Sequence, residues 1–352
     1  MMDKLFENLK IIDLSTVLAG PSVATFFAEL GAEVLKIESP GAGDVTRSWK
    51  LPSEDPHNNV SAYFSSVNYK KKYLTLNLNT PEGHSILMQH VGDADILISN
   101  FKKGDATKLN IEDATLRKIN PKLIIGKISG FGAQSDRIAY DLILQAETGF
   151  MSINGEANQG PLKMPVALID VLAAHHLKEG LLLALLSKQA RTVNVSLYDA
   201  AVSSLMNQAS NYLMTHEKPK RQGNLHPNIA PYGEVFVTKD GHSVTFAIGS
   251  DKHFQRLCTL LESTKLIQSE AYKTNQLRVK NRIVLAKELS TPISEVSMEV
   301  LLSACLQNGI PCAEIKSIDQ VLKSNLSKEL IREEIIQGKQ TSRITSIASK
   351  WK

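Results

Sequence analysis

Asp170 is the residue whose type and position best suit an attack on an activated carbonyl. It lies at the start of an apolar run, Ile169 to Ser187, that predicts a helix with Asp170 as its N-cap. An aspartate at that position is usually only a cap, which contributes about 1 kcal/mol. The helix N-terminus also favours the ionised carboxylate, which is the form that a nucleophile needs. The local sequence leaves both roles open.

A second group of residues could bind an anion. Positive side chains follow several predicted strands, where α/β proteins bind their ligands: Arg47, Lys71, Lys72, Lys102 and Lys108. A ligand with several phosphates needs dispersed cations of this kind. The alternative is a solvated lysine face, and for any single lysine both interpretations stay open.

The overall charge does not favour nucleic acid. The chain has 352 residues and a formal net charge of +4, with 40 basic and 36 acidic side chains. The only tight group of cations is Lys70 to Lys72, and no aromatic platform surrounds it. A smaller anionic ligand accounts for this charge as well as nucleic acid would.

Histidine and cysteine positions predict no metal site. His175 and His176 are adjacent on the predicted helix and therefore point about 100° apart. Cys258, Cys305 and Cys312 have no CxxC spacing, so neither a zinc site nor a disulfide framework is expected. His226 precedes a proline in a loop, where it either contacts substrate or has a role in the loop itself.

Alternating strands and helices must position these residues. Leu9 to Leu14, Val23 to Leu30 and Glu33 to Ile37 predict a strand, a helix and a strand. Further strands, over 73–78, 96–99 and 123–128, alternate with helices, which favours a doubly wound α/β domain with a parallel sheet. The first turn reads AGPSVA rather than GxGxxG, and Pro21 therefore argues against a dinucleotide site.

The composition changes after a charged linker, Glu217 to Arg221. A hairpin with an Asp240-Gly241 turn and several helices then predict a smaller α+β domain. We predict a large domain over 1–200 that is completed by about 323–352, a linker helix over 201–221 and a small domain over 222–322. No secretory signal is visible and the longest apolar segment, Gly180 to Leu186, is too short to span a bilayer. The expected location is the cytoplasm, without a membrane partner.

Eight segments, in order, resemble the family III CoA-transferases, which include formyl-CoA and carnitine-type CoA transferases and the α-methylacyl-CoA racemases. The segments are AGP followed by LGAEVLKIESPGAGDVTR, NYKKKYLTLNLNTPEG, ADILISNFKKGDATKLN, KISGFGAQSDRIAYDLILQAETGFMSINGE, GPLKMPVALID, VNVSLYDA, NLHPNIAPYGEVFVTKDG and GIPCAEIKSIDQVL. They run from about Leu9 to Leu322. The resemblance implies a Rossmann-like large domain, a smaller domain and a homodimer whose two chains interlock.

The resemblance also implies an activity. Asp170 is the position that matches the transferases' nucleophilic aspartate, which implies CoA transfer from an acyl-CoA donor to a carboxylic acid through an aspartyl intermediate. Coenzyme A or acyl-CoA is then the substrate and no metal is needed. Arg47, Lys71 and Lys108 match CoA-phosphate contacts, and Val17 matches a residue near the adenine. Leu18 is apolar where the oxalate-handling members have glutamine, which argues against oxalate.

Two alternatives remain beside CoA transfer. Racemases of the family have a His-Asp pair where this sequence has Tyr140-Asp141, and a phenol with an ordinary pKa of about 10 is a poor base near neutrality. The second alternative is a CoA-binding protein with reduced catalysis. It is suggested by the missing glycine-rich loop and by the shortened loop before Val193.

Overall fold

The computed structural model describes residues 4–350, which form two compact units. The first unit consists of residues 4–150, 163–217 and 325–350. The second unit consists of residues 151–162 and 218–324. The second unit is therefore inserted into the chain of the first.

Residues 4–217 belong to the first unit except for residues 151–162, so α7 below crosses the boundary between the units. The strands are β1 (Lys10–Asp13), β2 (Glu33–Glu38), β3 (Lys71–Thr75), β4 (Ile96–Ser99), β5 (Ile124–Ser129) and β6 (Thr192–Ser196). The α-helices are α1 (Ala19–Glu29), α2 (Ala62–Ser66), α3 (Pro81–Asp93), α4 (Asp105–Lys108), α5 (Asp113–Ile119), α6 (Asp141–Glu147), α7 (Phe150–Ile153), α8 (Leu168–Ser187), α9 (Leu197–Ser203) and α10 (Met206–Thr215).

Residues 218–350 continue the chain through the second unit and back into the first. The strands are β7 (Tyr232–Val237), β8 (Ser243–Ala247), β9 (Cys312–Glu314), β10 (Ile331–Ile336) and β11 (Lys339–Ile344). The α-helices are α11 (Asp251–Leu260), α12 (Thr264–Gln268), α13 (Asn275–Lys280), α14 (Arg282–Ser294), α15 (Met298–Gln307), α16 (Ile318–Lys323) and α17 (Asn325–Lys328).

A parallel six-stranded sheet organises the first unit. Its strand order is β3-β2-β1-β4-β5-β6, so the order reverses between β1 and β4. Side chains of β4 alternate between two cores: Ile96 and Ile98 pack with α1 and α8, whereas Leu97 packs with α3 and α5. The predicted doubly wound α/β fold is confirmed, and ligands of such sheets bind where the strand order reverses.

Three local predictions are wrong. Gly20 and Pro21 do not break the chain but form the first turn of α1, since proline is tolerated there. Gly20 is required at that place because an added Cβ would lie 2.3 Å from the Cβ of Ser15. Asp170 is not an N-cap: Ala167 holds that position, and Asp170 is the third residue of α8. The helix predicted from Tyr198 to about Thr215 is two helices, α9 and α10.

The second unit has an antiparallel sheet in the order β7-β8-β9 and a core of its own. The predicted hairpin is present, and Gly241 has the left-handed backbone (φ +80°) that its turn requires. Between residues 4 and 350 no single helix is long and apolar enough to cross a membrane, and α14 with α15 passes that test only as a pair bent by 110°.

An antiparallel hairpin, β10–β11, returns the chain to the first unit. Arg343 pairs with the buried carboxylate of Glu29 on α1, and its guanidinium lies 4.6 Å from the ring centroid of Tyr69. The ammonium of Lys339 donates to the carbonyl of Val60 over 2.6 Å. The last described segment is therefore tied to residues 29–69, in the first part of the chain.

Candidate active site

A cavity of about 440 Å³ opens in the first unit at the carboxyl ends of β1, β4 and β5. Its walls are residues 16–19 after β1, residues 99–104 after β4, residues 132–140 after β5, and Asp170. Because β1 and β4 flank the reversal of strand order, the cavity is where a doubly wound sheet binds its ligand.

The wall after β1 is held in a strained conformation. Val17 has a φ of +73°, a region that β-branched residues rarely adopt. Its N–H donates to Asp44 Oδ1 over 3.3 Å. Asn100, at the end of the neighbouring strand, accepts from the N–H of Thr16 at 3.0 Å and donates to its carbonyl at 2.9 Å. These bonds fix Val17 and Leu18, which both line the cavity.

Asp170 is 8% exposed and faces the cavity from the first turn of α8. Burial raises its pKa to about 7, and the negative charge of Asp141 adds to the effect. The helix N-terminus alone would have favoured a readily ionised carboxylate. Burial and the like charge outweigh it, so this carboxyl group titrates near neutrality.

Sequence analysis missed an aromatic pair near Asp170. Burial raises the pKa of Tyr63 to about 12, with further contributions from the charges of Asp170, Asp141 and Asp44. The ring of Trp49 packs edge-on against Tyr63, with 5.1 Å between the ring centroids. No spacing rule connects these residues to Asp170, because three separate elements bring them together.

Arg47 and Lys71, which were predicted to bind phosphate, lie buried away from the cavity. Arg47 forms two bonds to Glu38, at 2.6 and 2.8 Å. Lys71 donates to Asp13, to Asn68 and to two backbone carbonyls, all within 3.0 Å. Both cations are therefore held in buried hydrogen-bond networks, and their predicted contact with CoA phosphates stays a prediction.

The remaining predicted cations are exposed. Lys102 lines the cavity. Lys108 is not among the lining residues and lies 3.8 Å from Asp105. Lys72 is on β3, outside the cavity, where its ammonium pairs with Glu33 at 3.1 Å. Of the predicted set, the structure therefore brings only Lys102 to the cavity wall.

Three cations that sequence analysis did not select also line the cavity. Lys103 donates to the carbonyl of Gln134 over 3.0 Å, and Lys127 pairs with Asp113. Arg137 pairs with Glu147 through Nη2 only, and its guanidinium lies 3.8 Å from the centroid of the Phe131 ring. A lysine soon after a predicted strand was the available signal for Lys103, whereas Lys127 lies within the predicted strand 123–128 and Arg137 lies further along the loop.

The substrate candidates divide between the two units. Leu18 and Tyr140 line the cavity, and Tyr140 is 51% exposed. His226 belongs to the second unit and is not a lining residue. Its Nδ1 accepts from the N–H of Asn228 over 3.1 Å, and its ring packs on Tyr232 at 4.9 Å. These contacts are consistent with a role in the loop itself.

A smaller cleft of about 90 Å³ shares Thr16 and Phe101 with the cavity. Its wall is mainly apolar and includes Leu14, Ile37, Leu76 and Leu78. An apolar cleft beside a cation-lined cavity suits a ligand with a flat ring at one end and phosphates along its length. Among residues 4–350, no group of three or more His, Cys, Asp or Glu side chains could hold a metal ion.

The chain is similar to known proteins over nearly its whole length. The model of "CoA-transferase family III" matches residues 6–348. A succinate–glutarate CoA-transferase of Agrobacterium fabrum is 37% identical over 325 residues, which is 90% of this chain and 81% of the relative. A succinyl-CoA:glutarate CoA-transferase of Mus musculus is 36% identical, covering 90% of this chain and 73% of the relative.

A solved structure agrees with these relatives. The crystal structure of a CAIB/BAIF family protein from Brucella suis superposes with a TM-score of 0.83 at 32% identity, covering 97% of this chain and 91% of that one. The sequence resemblance, the reversal-point cavity and the family match therefore agree. The chain belongs to CoA-transferase family III.

Proposed function

We propose that the protein is an acyl-CoA:carboxylate CoA-transferase in which Asp170 is the nucleophile. The observation that supports it best is the buried carboxylate of Asp170 in the wall of a cation-lined cavity at the reversal point of the sheet. A carboxylate that is largely desolvated is a stronger nucleophile than one in water. The named relatives transfer CoA between acids, which supports the same chemistry.

In the first half-reaction, an oxygen of ionised Asp170 attacks the thioester carbonyl of the donor. The C–S bond breaks, CoA leaves as thiolate, and an aspartyl mixed anhydride remains. The thiolate then attacks the aspartyl carbonyl, the anhydride C–O bond breaks, and the donor acid leaves as carboxylate. Asp170 now carries CoA as a thioester.

In the second half-reaction, the acceptor carboxylate attacks the carbonyl of the aspartyl thioester. The C–S bond breaks, CoA leaves as thiolate, and a new anhydride joins the acceptor acid to Asp170. The thiolate attacks the acceptor carbonyl, which releases the new acyl-CoA and restores the Asp170 carboxylate. Each tetrahedral intermediate needs oxyanion donors. Gly130 and Gly132 line the cavity, so their backbone N–H groups are the candidates that we propose.

Coenzyme A itself would lie along the walls described above. Lys102 and Lys103 are the cavity cations that we assign to its phosphates. The strained turn at Val17 and the small apolar cleft are suited to the adenine. Lys108 stays a candidate at the outer edge of the phosphate path, since its ammonium is exposed.

The acids that we propose are short dicarboxylates, because the two relatives are named for succinate and glutarate. A second carboxylate needs a cation inside the cavity. Arg137 is suited to it: only one of its nitrogens has a carboxylate partner, and the Phe131 ring holds the guanidinium in place. An arginine fork can bind a carboxylate through two parallel hydrogen bonds.

Supplied with succinyl-CoA, the enzyme is expected to make new thioesters from glutarate faster than from butyrate. A charge-assisted hydrogen bond contributes about 1.5–3 kcal/mol, which corresponds to roughly 10- to 100-fold in kcat/KM. Mass spectrometry of the CoA thioesters measures both products. Arg137→Gln should remove the preference, while Lys188→Gln, an exposed position after α8, should keep it.

Three outcomes would contradict these proposals in different ways. Tight CoA binding without turnover of any acid would favour a CoA-binding protein over a transferase. Turnover of butyrate as fast as glutarate would leave the transferase in place and reject the dicarboxylate. Deuterium uptake at the α-carbon without an acceptor acid would instead indicate racemisation, although Tyr140 in the place of a histidine argues against it.

The rate is expected to depend on pH through Asp170. Because its folded pKa is raised to about 7, the carboxyl group is protonated and inactive below that pH and becomes a nucleophile above it. We therefore expect kcat/KM to fall tenfold per pH unit well below pH 7. Asp141 is the charged group that raises the pKa of Asp170 further, and Tyr63, whose own pKa is raised to about 12, stays neutral across this range. A pH-independent kcat/KM from pH 5 to 8 would contradict the proposal.

We also propose that the protein is a homodimer. The outer surfaces of α8 and α10 carry large apolar side chains that are more than half exposed in the single chain: Leu183, Leu186, Met206, Leu213 and Met214. Monomers rarely expose apolar patches of this kind. A second copy of the chain, as the family resemblance implies, would cover them.

A further inference from the structure

Helix α6 carries two polar side chains, Asp141 and Gln145, on the face that meets the start of α8. They are four residues apart and therefore lie one above the other on the helix. Gln145 is only 1% exposed. Neither side chain is among those that line the cavity. A buried amide must find partners, and its partners show what it does.

Gln145 uses its amide to hold the segment that leads into α8. Its Oε1 accepts from the N–H of Met164 over 2.7 Å, and its Nε2 donates to the carbonyl of the same residue over 3.2 Å. The same Nε2 also donates to Asp141 Oδ1. One side chain therefore connects the approach to α8 with the carboxylate of Asp141.

Asp141 accepts hydrogen bonds from the other end of this segment, at the start of α8. Its Oδ2 accepts from the N–H of Ile169 at 2.7 Å and from the N–H of Asp170 at 3.4 Å. The N-cap of α8, Ala167, supplies no side-chain cap of its own. The first N–H groups of a helix have no partner within the helix, and here two of them donate to a side chain of α6.

We propose that Asp141 and Gln145 are positioning residues, a clamp that fixes the backbone of Asp170 and keeps a negative charge beside its carboxylate. This inference rests on the proposed role of Asp170 as nucleophile. Three N–H donors, two from α8 and one from Gln145, hold the Asp141 carboxylate at the start of α8. The charge of Asp141 in turn makes Asp170 harder to ionise.

The two members of the clamp should affect the pH dependence differently. Gln145→Met keeps the length of the side chain but removes its hydrogen bonds to Met164 and Asp141, while the charge of Asp141 stays beside Asp170. Asp141→Asn removes the like charge, so Asp170 ionises at lower pH. The acid limb of kcat/KM should therefore stay in place in the first variant and move down in the second.

The clamp should act on kcat more than on KM. Because neither residue lines the cavity, the KM for acyl-CoA should change less than about threefold, while kcat of Gln145→Met should fall roughly 10- to 100-fold as the nucleophile loses its alignment. Gln255→Met, on the exposed face of α11, is the matched control and should leave both constants and the acid limb unchanged.

Carboxyl titration of the protein with 13C-labelled aspartate, read by NMR, tests the clamp without turnover. A downward shift of the Asp170 titration in Asp141→Asn supports it even if the wild-type protein transfers CoA to none of the acids, in which case only the proposed function fails. An Asp170 titration that stays in place in Asp141→Asn, or a Gln145→Met enzyme with the wild-type kcat, would overturn the clamp. If Gln145→Met does not fold, the isosteric Asp141→Asn decides alone.

Discussion

Asp170→Asn is expected to lower kcat/KM for CoA transfer by about 10⁴-fold or more, which is the usual cost of removing a covalent nucleophile. The amide has the same shape but no ionised oxygen to attack the thioester. The melting temperature of the Asp170→Asn protein should be no lower than that of the wild type, because a neutral side chain is easier to bury at a position that is 8% exposed. Thermal unfolding and the thioester assay, run on the same preparation, measure both effects.

The control for this substitution is on the same helix. Glu179→Gln removes an exposed carboxylate of α8 and should keep wild-type kcat/KM. Wild-type protein incubated with acyl-CoA and then with hydroxylamine should carry a hydroxamate in the peptide that contains Asp170, whereas Asp170→Ala should not. Transfer by Asp170→Ala at the wild-type rate would reject the covalent mechanism.

Lys71→Met is expected to lower the free energy of unfolding by about 3–5 kcal/mol, because it removes the nearer of the two cations that compensate a buried carboxylate. Burial would raise the pKa of Asp13, but the ammonium groups of Lys71 and Lys36 outweigh it and hold that pKa below its usual range. The Lys71 ammonium is 2.8 Å from Asp13 Oδ2, and the Lys36 ammonium is 3.8 Å away. Urea denaturation with an unchanged m-value measures the loss.

The neighbouring lysine supplies the matched control. Lys72→Met removes an exposed pair with Glu33 and should change stability by less than about 1 kcal/mol. The double variant Asp13→Leu with Lys71→Met should recover part of the lost stability, since no charge of the pair is then left unpaired. A Lys71→Met protein that unfolds like the wild type but binds CoA much more weakly would contradict this prediction and support a phosphate contact by Lys71.

The order of elements and the place of the cavity could be predicted from the sequence, but the environment of single residues could not. Lys70 to Lys72 reads as one basic cluster. In the structure Lys71 and Lys72 lie on β3, where successive side chains point to opposite faces, so one is buried and the other exposed. Which lysine turns inward depends on where the strand begins, and the predicted strand began two residues late.

The surroundings of Asp170 depend on contacts between distant segments. The sequence identified Asp170 through the family motif and its helix, but assigned it the N-cap because that is the common place for an aspartate. The cap comes instead from Asp141, 29 residues earlier in the chain. A pattern within one helix cannot reveal a cap that another helix supplies, and Tyr63 was missed for the same reason.

The return of residues 325–350 to the first unit affects the order in which the protein can fold during its synthesis. Arg343 and Glu29 are 314 residues apart, and Gln337 reaches Arg47 across 290 residues. Until the ribosome has released the β10–β11 hairpin, Glu29 lacks its cation and the first unit is incomplete. The inserted residues 218–324 contain their own core and emerge earlier. The unit that begins second can therefore be finished first, and a chain stopped before the hairpin would combine a complete inserted unit with an incomplete first unit.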